Sequence, residues 1–189
     1  DYVGDPTEDD GCCEYPSGGD PNFEVCMNAS AGGTQNYELC FGVSPNASDG
    51  FDAGIDQYAP PAPPPPSFDA ALAWEGDRYY TQILATTTDE RVYDIQLQFS
   101  DNSLIILEWN ASLLADLGEF MITDAFGGMM INVDMTMEGS VTLTNSAFNT
   151  LKLYMTPSET GGPSDIYGCT DPTATNYGHN CEGDYVGDP

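Results

Sequence analysis

The chain has 189 residues, with 31 Asp and Glu against three basic side chains, Arg78, Arg91 and Lys152, and a formal net charge of −28. That balance excludes a nucleic-acid surface, which needs Lys and Arg for the phosphates, and disfavours anionic membranes. Hydrophobic content of 40% suffices for a core, while no apolar run approaches the ~18 residues of a membrane-spanning helix, so no membrane insertion is expected.

In chain order, the first expected unit is residues 1–16. Asp1, Asp5, Glu8, Asp9 and Asp10 crowd ahead of Gly11, Cys12 and Cys13. Dense carboxylates in a cysteine-bounded loop suit the oxygen cage of calcium, which is the expected cofactor. The loop is not an EF-hand. Setting Gly11 at the invariant glycine of that motif puts Pro6, which has no side-chain oxygen, at the first ligand position. The competing account is a solvated acidic turn.

Residues 21–157 read as all-β. Phe23, Val25 and Met27 alternate with Glu24, Cys26 and Asn28, and Tyr37, Leu39 and Phe41 with Glu38, Cys40 and Gly42. The same period of two runs through Tyr93, Ile95, Leu97 and Phe99, through Val141 and Leu143, and through Leu151, Leu153 and Met155. Such alternation buries one face of a strand and wets the other, as in antiparallel sheets. Residues 104–109 are almost continuously apolar and suit a central strand, and 110–117 have room for one short helical turn. Turns are marked by Asp101-Asn102-Ser103, Gly127-Gly128 and Glu138-Gly139. A tally of roughly seven to nine strands predicts an immunoglobulin-like antiparallel β-sandwich.

Within that domain, Cys26 and Cys40 fall on the polar sides of their strands, so a hairpin would let them join across it. Six cysteines without a CxxC spacing favour three disulfides over zinc. Asp49, Asp52 and Asp56, with Asn46, form a second candidate calcium loop. The proline-rich segment 58–67 has two readings: an extended run crossing the sandwich, or a linker that separates an N-terminal hairpin from it. Met121, Met129, Met130, Met135 and Met137 read as strand core. Asn28, Asn46 and Asn110 each open an Asn-Ala-Ser sequon and are candidate glycosylation sites.

Catalysis has little to stand on. The single histidine, His179, lies between cysteines with no nucleophile motif beside it. Carboxylates are everywhere, so no pair is diagnostic of glycoside hydrolysis. The expectation is not an enzyme. Trp74, Tyr79 or Tyr80 offers a sugar-binding platform as the rival reading, with glycans as partners.

The sequence Asp-Tyr-Val-Gly-Asp-Pro at residues 1–6 returns at 184–189, an offset of 183 residues. This reads as one period of a tandem array, cut from a longer chain. Residues 165–189 would then be the first half of a small four-cysteine module that residues 1–16 of the next copy complete. Cys169 and Cys181 would pair with Cys12 and Cys13 of that copy, and Asp171 would join the acidic loop. So small a module has almost no core and depends on crosslinks and bound ions.

Gly168-Cys169-Thr170-Asp171-Pro172-Thr173-Ala174, Asn176-Tyr177 and the later Asp9-Asp10-Gly11-Cys12 resemble a cysteine-bounded repeat of large secreted surface proteins of marine bacteria. Cys181 and the doubled Cys12-Cys13 depart from the usual form and leave the pairing open. Residues 41–56, 68–72, 120–128 and 132–135 are also similar to segments of those proteins. The resemblance implies secretion and an accessory domain of the fibronectin or immunoglobulin kind. The resulting expectation is a structural repeat of an extracellular or cell-surface fibre whose partners are neighbouring copies. The alternatives are an adhesin or an accessory repeat of a secreted enzyme.

Overall fold

The alternating segments nearest the N-terminus form β1 (Phe23–Ala31) and β2 (Gln35–Ser44), an antiparallel pair. Val25, Met27 and Ala29 point inward from β1, and Leu39, Phe41 and Val43 from β2. Cys26 stands opposite Cys40 in this register, and the two are joined in a disulfide with Cα atoms 4.1 Å apart. The hairpin thus provides the pairing that the spacing had suggested. The computed structural model describes residues 21–158, apart from 33, 34 and 102, all within one compact unit, Asp20–Pro163. Cys12, Cys13, Cys169, Cys181, His179 and the acidic residues Asp1, Asp5, Glu8, Asp9, Asp10 and Asp171 lie outside the described residues.

Nine further strands follow: β3 (Gln57–Tyr58), β4 (Asp69–Trp74), β5 (Asp77–Ala85), β6 (Arg91–Gln98), β7 (Ile105–Glu108), β8 (Gly118–Asp124), β9 (Asn132–Asp134), β10 (Ser140–Leu143) and β11 (Thr150–Pro157). One short helix, α1 (Ala111–Ala115), starts where the Asn110 side chain accepts from Leu113 N at 3.3 Å. The strands form one sheet in the order β10-β7-β1-β2-β5-β4-β6-β11-β8-β9, with β3 on β5. Every named pairing is antiparallel except β2 with β5.

The sheet folds over at the β4–β5 hairpin. Only Leu72–Trp74 pairs with Asp77–Tyr79; earlier in β4 the partner is β6, and later in β5 it is β2. The halves then diverge and face each other. Phe41 of β2 meets Tyr93 of β6 and Phe120 of β8, with ring centroids 6.1 and 6.2 Å apart. Ile95, Leu97, Ile122, Leu151, Leu153 and Met155 fill the space between. Residues 135–139 connect β9 at one edge of the sheet to β10 at the other, so those edges lie within about 20 Å, the reach of that length of chain. Trp109 Nε1 donates to Met135 O at 2.9 Å across this junction. The product is an all-β, nearly closed sandwich.

The described chain enters and leaves at one corner. Phe23, at the start of β1, packs on Phe120 at 5.8 Å, and Phe120 pairs with Met155 near the end of β11. The proline run lies on the sandwich: Arg78 donates to Pro60 O, and Gln98 Nε2 donates to Pro63 O and Ser67 O at 2.9 and 2.8 Å. It separates no hairpin from the rest, because β1 and β2 belong to the same sheet. The methionines divide. Met135 is fully buried, whereas Met129, Met130 and Met137 are among the most exposed apolar residues. They occupy the loop before β9 and the turn after it, where no described strand covers them.

The disulfide closes a hairpin loop of 14 residues. Replacing both cysteines, Cys26→Ser with Cys40→Ser, is expected to cost about 3 kcal/mol by loop-closure arithmetic. Equilibrium unfolding in guanidinium chloride, wild type against double variant, measures it; the same cost should appear when the wild type is reduced.

Candidate functional site

The acidic loop between β2 and β3 is bound to three strands of the sheet. Asp56, buried, accepts from Ile83 N at 2.8 Å through Oδ1, and from Asp52 N at 2.7 Å and Gln82 Nε2 at 3.5 Å through Oδ2. Asp52 Oδ2 accepts from Ser48 N and Ser48 Oγ at 2.5 and 2.9 Å. Asp49 takes two partners from the other layer: its carbonyl accepts from Trp74 Nε1 at 2.9 Å, and Oδ2 accepts from Arg91 Nη2 at 3.3 Å. Gln82, fully buried on β5, also donates to Gly50 O at 3.0 Å.

These contacts bear on the calcium reading of Asp49, Asp52 and Asp56. Both oxygens of Asp56 and one of Asp52 already hold N–H groups, and the Arg91 guanidinium lies beside Asp49. A cation cage needs carboxylate oxygens turned to one point and no competing cation. Here they are turned onto the backbone. Among the described residues, the set of three metal-ligating side chains with ligand atoms within 4.8 Å is Glu24, Cys26 and Cys40, whose sulfurs are joined to each other rather than free as thiolates. Asp49 Oδ1 and Gln82 Oε1 are buried acceptors without a donor among the described residues.

The expected aromatic platform is dispersed. Tyr79 is buried beneath Tyr58, Tyr80 stacks on Tyr37 at 5.7 Å, and Trp74 tilts against Tyr93 at 5.2 Å. Neighbouring residues on a strand face opposite ways, which separates Tyr79 from Tyr80. An exposed stack exists instead at Phe51 and Tyr58, parallel at 4.3 Å, with Tyr79 behind Tyr58 at 5.0 Å. Burial, foremost, pushes the Tyr79 and Tyr93 hydroxyls well above the ordinary tyrosine range.

Of the sequon residues, Asn46 is exposed in the turn after β2, and Asn110 is exposed at the start of α1. Asn28 is half-buried on the outer face of β1, between Glu38 and Glu108. A glycan therefore meets open solvent at the first two positions and two carboxylates at the third.

A second clamped loop went unread in the sequence. Asp124, at the end of β8, is buried and receives four backbone N–H groups. Oδ1 accepts from Phe126 and Gly128 at 2.7 and 3.2 Å, and Oδ2 from Met130 and Ile131 at 2.7 and 2.8 Å. These bonds, that of Ile131 foremost, hold its carboxyl below the ordinary 3.8, against burial, which pushes it up. Asp134 accepts from Thr136 Oγ1 and N at 2.7 and 2.9 Å and is lowered likewise, the Thr136 hydroxyl first. A lone Asp before Gly-Gly reads as a turn residue, so nothing local marks Asp124 as a fourfold acceptor.

No family model matches the chain, and neither the curated proteins nor the solved structures contain a match.

Two predictions follow from the clamps. Asp56→Ala strands the buried N–H of Ile83, leaves Gln82 Nε2 with Gly50 O alone, and should cost about 2 kcal/mol. Asp52→Ala, whose carboxylate partners are exposed, should cost well under half as much in the same denaturation series. Asp124→Asn removes the charge and one acceptor oxygen and should lower the thermal midpoint by several degrees at neutral pH. Because the folded pKa of Asp124 is depressed, its contribution is complete above the unfolded value and lost as pH falls through the folded one. The gap between wild type and variant should therefore be constant above 3.8 and narrow below it, as read by thermal melts across pH.

Proposed function

We propose that this chain is a structural repeat of a secreted or cell-surface fibre or stalk, crosslinked by disulfides and stabilised by calcium, with no catalytic role. The observation that carries the reading is the return of Asp-Tyr-Val-Gly-Asp-Pro after 183 residues, since a tandem array repeats its boundary sequence. The Cys26–Cys40 disulfide supports an oxidising compartment.

Calcium belongs in this reading with Asp1, Asp5, Glu8, Asp9, Asp10 and Asp171 rather than with Asp49, Asp52 and Asp56, whose oxygens serve the loop. Oxygen donors of that density suit a hard cation, which would offset mutual repulsion and stiffen the junction. The adhesin reading draws on one observation, the exposed Phe51–Tyr58 stack beside the acidic loop. A sugar ring on its free face is the ligand such a stack would take.

The test uses two copies joined through the shared six residues, oxidised, and melted with calcium and then with excess chelator. Calcium at about a hundredfold over its dissociation constant adds roughly 2.7 kcal/mol by mass action. The joined chain should therefore lose several degrees on chelation, and a single copy less. Equal midpoints with and without chelator, for joined and single copies alike, would sink the calcium-stiffened junction. Retention on a glycan array, lost on Phe51→Ala, would favour the adhesin.

A further inference from the structure

The sheet edge at β9 carries exposed apolar side chains at both of its ends. Phe126 is 67%, Met129 84% and Met130 74% exposed before the strand, and Met137 is 79% exposed after it. The four N–H bonds to Asp124 fix the loop that carries the first three, and the Asp134–Thr136 contacts fix the turn that carries the fourth. Where the backbone is already held, covering these groups adds no loop-ordering cost to that of their side chains. This loop stands at the far end of β8, about 13 Å along the strand from Phe120, at the corner where the described chain enters and leaves.

The strand itself is open on one side. β9 pairs with β8 and with no other described strand. Asp124 N donates to Ile131 O, and Met135 N donates to Phe120 O. In an antiparallel ladder that parity points Ile131, Val133 and Met135 at β8 and turns the N–H groups of Asn132 and Asp134 outward. An open edge with apolar flanks is a template for another strand.

Charge decides what covers it. Residues 125–133 contain no charged side chain, in a chain of net charge −28, and the one carboxylate of β9, Asp134, accepts from Thr136 N and Oγ1. All three basic residues are committed to internal ion pairs, Arg78 with Asp69, Arg91 with Asp49 and Lys152 with Asp94. Two such chains repel wherever their acidic faces meet, and along residues 125–133 that repulsion is low. A basic partner would be drawn to the acidic faces instead, and an anionic membrane would be repelled.

We propose that the β9 edge, with Phe126, Met129, Met130 and Met137, is the surface on which a second copy of this chain docks, edge to edge about a two-fold axis. A strand paired with its own symmetry mate runs antiparallel to it, so the sheets of the two copies become continuous. This deepens the reading as a repeated structural unit and names the contact between copies.

Sedimentation velocity of the full 189-residue chain, across a wide concentration range at low and high sodium chloride, tests it. The wild type should pass from monomer to dimer, and more readily at high salt, where like-charge repulsion is screened. Met129→Asp with Met130→Asp should weaken the dimer about tenfold or more, with circular dichroism and melting unchanged, because both side chains are exposed. Asn132→Pro removes an N–H that points away from β8 and should weaken it too while leaving the apolar residues in place. A wild type that stays monomeric throughout overturns the proposal, as do variants that dimerise like the wild type. So does a monomer that binds neutral phosphatidylcholine vesicles through Met129 and Met130, which would make the edge a lipid contact. A single copy suffices here, whereas the calcium test needs joined copies, so either result can fail without the other.

Discussion

A carboxylate taken out of water needs a cation or several hydrogen-bond donors. In this chain cations are scarce, and each is already matched: Arg78 to Asp69, Arg91 to Asp49 and Lys152 to Asp94. The remaining buried carboxylates turn to the backbone. Asp56 holds Ile83 N and Asp52 N, and Asp124 holds four N–H groups of the loop that follows it. The scarcity of basic residues thus shapes the loops, because each inward-facing Asp gathers nearby amides and fixes the segment that carries them.

That device explains how the two most informative loops are held. At 49–56 the acids close the loop on β5, with Trp74 and Arg91 holding Asp49 from the other layer. At 125–131 a single buried acid presents Phe126, Met129 and Met130 outward. The same chemistry produces a polar loop in one place and an apolar tip in the other. The side chains around the anchor decide which.

The disulfide and the β4–β5 corner set the frame for these loops. Cys26–Cys40 locks the register of β1 on β2, so that Phe23 and Phe41 both reach Phe120 in the opposite layer. The corner lets β5 leave β4 and pair with β2 in parallel, bringing Gln82 and Ile83 beneath the acidic loop. Gly42 belongs to the same fit: a Cβ there would come within 1.9 Å of Phe23 O.

Composition and local pattern determined the all-β class, the strands at β1, β2, β6, β7, β10 and β11, the Cys26–Cys40 pair and the helical turn after Asn110. Each of these rests on neighbours along the chain: period-two alternation, an almost continuous apolar run, opposed cysteines in a hairpin, or an Asn side chain that caps the next turn. The rest was decided between distant segments. β4 is buried at Ala70, Ala71 and Leu72 in succession and so shows no alternation, while β8 buries Asp124 where the pattern predicts an apolar residue. The parallel β2–β5 pairing leaves no local mark, since one-sided burial has the same period in either direction. Met135 is buried and Met129 exposed, although the two are chemically identical. Only the folded sheet, by covering one and ending before the other, tells them apart.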